Sequence, residues 1–157
     1  MRLLAFLAAV LFAVLNPSPA RACTCAQLSL SVREQVVQEF RQASAIFEGK
    51  VESIETRFIQ DGLGAFDQRV VTLRVLRVYK GPPERVIVVH TGRSDGDCGF
   101  HFKRGGKYLV YAYQESSGQL WTNICTRTRR LWRAGADGRY LNEIAREESQ
   151  EEKARQR

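Results

Sequence analysis

The stretch Val70-Val71-Thr72-Leu73-Arg74-Val75-Leu76-Arg77-Val78-Tyr79 decides the fold class. Val71, Leu73 and Val75, with Arg77 next in that series, fall on one side of an extended chain; Val70, Thr72, Arg74, Leu76 and Val78 fall on the other. A period of two sustained by β-branched residues marks a strand, because successive Cβ atoms point to opposite faces and branched side chains pack well on a pleated surface. Lys80-Gly81-Pro82-Pro83 stops it, since proline has no N–H for a ladder and glycine favours a turn.

The same reading extends outward in both directions. Upstream, residues 45–54 form a strand with Gly49 as a bulge or bend, and Asp61-Gly62-Leu63-Gly64 is a turn or loop. Downstream, residues 85–91 form a third strand. A polar loop, Gly92 to Gly99, follows; Asp95, Gly96 and Asp97 supply its turn chemistry and Cys98 lies near its end. Residues 107–113 and 119–125 read as the fourth and fifth strands, joined by a hairpin turn at Glu115-Ser116-Ser117-Gly118. Ahead of the strands, Ser31-Val32-Arg33-Glu34 fits a capping box, and Val32, Val36, Val37 and Phe40 recur at helical spacing over 31–43. Past Asp137, Tyr140, Leu141 and Ile144 are again spaced for a helix, whose end is highly charged and expected to be solvated or frayed. Five antiparallel-type strands in roughly 80 residues indicate a small closed or half-closed β-barrel with a helix at each end. Its five-stranded Greek-key version is the OB-fold; strand count alone does not separate that from a sandwich.

With 157 residues the chain has room for one domain of ordinary size. Hydrophobic residues at 44% and charged residues at 26% exclude collagen-like and wholly disordered classes. The net charge of +7 permits an acidic partner without requiring one. The first residues read as an address: one arginine, an apolar run from Leu3 to Leu15, a break at Asn16-Pro17-Ser18-Pro19, and Ala20-Arg21-Ala22 as an A-x-A cleavage site. An apolar helix over that run rises about 20 Å, short of the roughly 30 Å hydrocarbon core, so no transmembrane segment is expected. Cleavage after Ala22 implies a secreted or periplasmic protein beginning at Cys23, of a size that suits a bacterium. A lipoprotein is the minor alternative, because Arg21 fits a lipobox poorly. The expected divisions are a signal peptide over 1–22, a barrel domain over 23–132 and a charged helical tail over 133–157.

All four cysteines, Cys23, Cys25, Cys98 and Cys125, follow the cleavage site. An even count in an oxidising compartment reads as two disulfides. A Cys23–Cys25 bridge would close a very small, strained ring, and the two other connectivities stay open. Each closes about 70 to 105 residues, worth roughly 4 kcal/mol in the chain-entropy model. The spacing lacks the paired C-x₂-C of zinc ribbons and the C-x-x-C of thiol redox enzymes.

Cys23-Thr24-Cys25, immediately after the expected cleavage site, resembles the start of the tissue inhibitors of metalloproteinases. The resemblance runs in order through Ala45-Ile46-Phe47-Glu48-Gly49-Lys50-Val51, Leu73 to Gly81 with its Tyr-Lys-Gly ending, Cys98-Gly99-Phe100, Lys107 to Ala112, and Ile124-Cys125. It covers residues 23 to about 132, matching that family's netrin-like inhibitory domain, an OB-fold. It implies the pairings Cys23–Cys98 and Cys25–Cys125. The chain departs from the family in having no cysteine for a third disulfide in this domain, no disulfide-rich C-terminal subdomain, and Asp97 where vertebrate members tend to carry an apolar residue. It reads as a short, bacterial-type member.

A free amino terminus offers an α-amine and a carbonyl oxygen that chelate one metal together. A catalytic zinc keeps one position open for water, and a chelating terminus displaces that nucleophile. The amine must be neutral, and its ordinary pKa near 8 makes that accessible at neutral pH. The resemblance therefore implies an inhibitor of zinc metalloproteases rather than an enzyme. Its inhibitory edge would comprise Cys23, Thr24, Cys25, Asp97 and Cys98. The main chain of Cys23 would bind the target's zinc, and Thr24 would point toward the specificity pocket. Without the resemblance, Cys23 and Cys25 are staples of an exported barrel.

A second candidate surface combines Trp121, Arg127, Arg129, Arg130 and Trp132. OB-folds bind polymers through basic aromatic surfaces. Export and modest charge disfavour nucleic acid, leaving a glycan, protein or envelope partner for a non-inhibitory binding or structural module. His90 and His101 read as surface or barrel-end residues. No Ser/His/Asp ordering, paired-carboxylate motif, H-E-x-x-H or phosphate-binding glycine loop occurs, no cofactor is implied, and a monomer is expected.

Overall fold

The structure, a computed structural model, describes Cys23, Cys25 and residues 29–61, 64–93 and 95–155. The expected leader over 1–22, Thr24 and the Gly62-Leu63 tip of the expected turn lie outside the described residues. Helix α1 (Val32–Gln42) begins at the S-x-x-E box. The Glu34 N–H donates to Ser31 Oγ, and Glu34 Oε2 accepts from the Ser31 N–H at 2.8 Å, so both groups of the box are satisfied reciprocally. Val36 and Phe40 form its buried face.

Strands β1 (Ala45–Asp61) and β2 (Gly64–Lys80) make one long antiparallel hairpin, in register from Ile46↔Lys80 to Asp61↔Gly64. Both run well beyond the stretches that apolar alternation marks out. Their outer half pairs through the backbone with little core behind it, and Phe58 near the tip is exposed. Three register shifts interrupt the pairing, leaving Glu52 in β1 and Leu76 and Tyr79 in β2 as extra residues. Each inserted residue exchanges the inward and outward faces. Val71, Leu73 and Val75 therefore pack on the core as their alternation requires, but beyond Leu76 it is Val78 that packs inward while Arg77 is exposed. Gly49 stands beside one of these shifts, where a Cβ would lie 3.1 Å from both Leu73 and Phe47.

Strand β3 (Val86–Gly92) pairs with β2, and β4 (Lys107–Gln114) pairs with β1 from Ala45↔Ala112 to Lys50↔Lys107. The short β5 (Leu120–Trp121) closes the ring, antiparallel to β4 at Tyr113 and parallel to β3 at the single pair His90↔Trp121. The five-stranded ring β1-β2-β3-β5-β4 is an OB-fold-like barrel filled by Phe47, Val51, Leu73, Val89, Tyr108 and Val110. A sixth, two-residue strand, β6 (Arg129–Arg130), pairs with β4 at its other end.

The fifth strand is much shorter than the expected 119–125, and threonines explain why. The Tyr111 N–H donates to Thr128 Oγ1 at 2.9 Å, while the Tyr111 carbonyl accepts from Thr122 Oγ1 at 3.0 Å and Thr128 Oγ1 at 3.1 Å. Side-chain hydroxyls thus occupy the β4 edge where a longer strand would have laddered. Helix α2 (Gly135–Arg155) docks through its first half: Leu141 is buried, with Tyr140 and Ile144 partly so, in a second core that contains Val36, Phe40, Ile46, Leu109 and Tyr111. No helix among the described residues is long and apolar enough to cross a membrane.

Candidate functional site

Two disulfides, Cys23–Cys98 and Cys25–Cys125, spanning 75 and 100 residues, fasten the N-terminal segment to the barrel. Their partners lie on two loops at one end of the β3–β5 seam. The first begins where β3 ends: the Arg93 N–H donates to Asp97 Oδ2 at 2.8 Å, closing a 3₁₀ turn over Asp95–Asp97. Cys98 follows with φ +59°, a left-handed backbone that a residue with a Cβ adopts only at a cost of about 1–2 kcal/mol. Gly99 then passes directly over Gly92; a Cβ on Gly99 would lie 2.2 Å from the Gly92 oxygen. Gly92 is equally close to the turn, its imagined Cβ being 2.5 Å from Asp97 Oδ1. The Phe100 N–H donates to Thr91 Oγ1 at 2.8 Å and returns the chain to the barrel.

The second loop is shaped by Asn123, whose Oδ1 accepts from the N–H groups of Cys125 at 2.9 Å and Thr126 at 3.1 Å. The loops are joined to each other, the Ile124 N–H donating to the Cys98 carbonyl at 3.0 Å, and to β3, the Thr122 N–H donating to the His90 carbonyl at 2.9 Å. The structure therefore brings Cys23, Cys25, Asp97 and Cys98 together on one cross-linked edge. Beside Cys125 a cavity of about 240 Å³ opens between α1 and β4, lined in part by Glu39, Tyr113, Asn123 and Thr126. Burial pushes the Glu39 carboxyl above its ordinary pKa, against the opposing pull of the nearby Arg127 charge.

The second candidate surface does not assemble as one patch. Arg127 is buried: its Nε and Nη2 donate to Asp137 Oδ2 at 2.9 Å and Oδ1 at 2.8 Å, and Nη1 reaches Gln35 Oε1. The Tyr111 hydroxyl donates to the same carboxylate at 3.1 Å, and Arg129 Nη1 approaches it at 3.6 Å. Trp121 sits opposite Tyr113 and Arg130 opposite Tyr108, five residues apart along β4 or roughly 16 Å. Arg130 stacks on Tyr108, while Trp132 is exposed under Arg133. The run of cations meets Asp137 in the first turn of α2, and this carboxylate draws Arg127 inward and away from the surface. Neither Asp137 nor the threonines on the β4 edge carry a motif; an acidic residue in the first turn of a helix is favoured by the helix dipole alone and does not point to Arg127.

His90 lies within β3, paired with Val70 and Trp121, and is buried rather than a surface residue, with Nδ1 3.3 Å from Gln68 Oε1 and its ring stacked on Trp121 at 5.5 Å. Burial holds its pKa below the ordinary value, and the Arg57 charge acts in the same direction. The unfolded chain takes up this proton near pH 6.5 and the folded chain only at lower pH, so stability falls as pH drops below about 6.5. Urea midpoints measured between pH 8 and pH 5 should decline at the acid end for the wild type and decline less for His90→Gln; parallel curves would assign the loss to other groups.

All four cysteines are in disulfides, and among the described residues no group of three or more His, Cys, Asp or Glu side chains is placed to hold a metal ion. No family model matches the chain. It is similar to Metalloproteinase inhibitor 2 of Canis lupus familiaris, with 29% identity over 113 residues, covering 69% of this chain and 49% of the relative. The chain thus spans about half the length of the curated relative it matches.

Proposed function

We propose that the chain is an exported inhibitor of zinc metalloendopeptidases that acts once residues 1–22 are removed. In this reading the Cys23 α-amine and carbonyl chelate the target's zinc in place of its water, and Thr24 enters the pocket beneath the metal. Cys25, Asp97 and Cys98 flank the contact. One observation carries the proposal: Cys23 and Cys25 are each bonded to a different loop, and those loops are bonded to each other through Ile124 and Cys98. A terminus held in this way loses little freedom on docking, so less of its interaction energy is spent on ordering. The named role of the canine relative supports the same class of partner.

The test uses three oxidised forms: one beginning at Cys23, the same form with one alanine ahead of Cys23, and Thr24→Gly. Titrated against a zinc metalloendopeptidase, the first should inhibit. The extended form should be weaker on the order of 100-fold or more, because an amide nitrogen cannot replace the amine and several kcal/mol of metal coordination are lost. Thr24→Gly should fall between them. Equal behaviour of all three, at equal melting temperature, rejects the chelation model. Mass spectrometry of the exported chain supplies a second check, since a lipid on Cys23 is incompatible with a coordinating amine.

A further inference from the structure

The second half of α2 leaves the barrel's apolar core and runs beside β2. Between the two lies a groove of about 420 Å³ lined by Arg77, Asn142, Ala145, Arg146, Gln150 and Lys153. Asn142, Arg146, Gln150 and Lys153 follow one another on one side of the helix at spacings of three and four residues. Arg77 faces them from β2, its guanidinium hydrogen-bonded to Asn142 Oδ1 and stacked 4.8 Å from the centre of the Tyr79 ring.

The charge arrangement here differs from that around the paired arginines of the barrel and its flanks. Arg57, Arg74, Arg93 and Arg127 each sit against a carboxylate: Glu55, Glu52, Asp67 and Asp137. Among the described residues, the groove gathers three cations and two carboxamides with no carboxylate in its lining. Glu143, Glu147 and Glu151 belong to the same helix but do not line it. Like charges held side by side repel, and a bound anion relieves that repulsion. Arginine's planar fork matches phosphate oxygens, and Arg77 is already oriented by its amide and ring contacts. The rise from Arg146 to Lys153 is about 10 Å, longer than one phosphate group.

We propose that Arg77, Arg146 and Lys153 form a binding groove for a ligand that presents more than one phosphate group. The chemistry is shared by a soluble phosphate chain and by a row of phospholipid headgroups, and the experiment separates them. The full oxidised chain is titrated with inorganic tripolyphosphate by calorimetry. In parallel it is floated with vesicles of phosphatidylglycerol in phosphatidylcholine and with phosphatidylcholine alone. Arg146→Gln combined with Lys153→Gln should weaken binding by about tenfold or more and flatten its salt dependence, while Arg85→Gln, an exposed arginine outside the groove, should not. Arg77→Gln is measured with a melting curve because its ring and amide contacts also support the fold; the double variant, on the exposed helix, decides if that one unfolds. Binding of tripolyphosphate alone assigns a soluble ligand, and binding of the phosphatidylglycerol vesicles alone assigns a headgroup row. Failure of both probes at 50 to 150 mM salt, or equal binding by wild type and double variant, overturns the proposal. None of these readings depends on inhibition, so the two proposals fail separately.

Discussion

Asp137→Asn should destabilise the protein by about 3–5 kcal/mol, the range for removing one partner of a buried ion pair. The carboxylate is 1% exposed and accepts both arms of Arg127, itself buried, together with the Tyr111 hydroxyl. Its loss removes the carboxylate that both arms of the buried guanidinium bond, leaving the more distant pull of Glu39, and most of the desolvation cost of that charge appears in the folded state. The effect is global because the network joins four parts of the fold: α1 through Gln35, β4 through Tyr111, the segment after β5 through Arg127, and α2 through Asp137 itself. A small domain has only about 5–15 kcal/mol of stability, so the variant should melt roughly 10–20 °C lower. Replacing both partners by apolar residues, Arg127→Met with Asp137→Leu, should recover much of the loss, since no buried charge then remains. If the single variant melts within a few degrees of wild type, the pair is not buried in solution.

Gly99→Ala should cost about 2–3 kcal/mol and should also disorder the proposed inhibitory edge. The added methyl would sit 2.2 Å from the Gly92 oxygen, which is backbone and cannot swing aside. Relief requires moving the crossing of β3 and the Cys98 loop. That crossing positions Cys98, whose left-handed backbone is already unfavourable, and through it Cys23. Gly105→Ala is the control for an uncrowded glycine: Gly105, unlike Gly99, has positive φ, and its Cβ would meet nothing within 4 Å. The control should lose about 1 kcal/mol, the left-handed penalty alone, with inhibition intact. Urea unfolding, inhibition and thiol titration of the refolded chains separate the outcomes. A Gly99→Ala protein as stable as the control would show that the loops do not approach as closely as described.

The barrel was legible where burial writes itself into alternation, as at Val71, Leu73 and Val75, and α1 was legible because Ser31 and Glu34 act over three residues. Pairing energy that comes from the backbone leaves no such mark. The outer half of the β1–β2 hairpin therefore extends past any apolar pattern, and β5 gives way to threonine hydroxyls whose partner, Tyr111, is distant in sequence. Bulges escape for a related reason: one inserted residue at Leu76 reverses the two faces without altering composition, which is why Val78 and not Arg77 turns inward. Arg127 shows the limit for charge. A run of cations is solvated unless a carboxylate meets it in space, and only the docking of α2 reveals Asp137 as that carboxylate. At the candidate site the cysteines announced themselves. The Gly92–Gly99 crossing and the Asn123 turn that aim them did not, because close approach between separate segments is a property of the assembled chain.

Cys25 emerges from the ribosome a hundred residues ahead of the thiol it finally bonds, and Cys23 seventy-five ahead of its own. Cys125, the partner of Cys25, comes after every strand of the ring, whereas Cys98, the partner of Cys23, precedes β4 and β5. A chain cut short between Cys98 and Cys125 keeps a partner for Cys23 but none for Cys25. The second bridge, Cys25–Cys125, therefore closes only on a chain that already carries the whole ring.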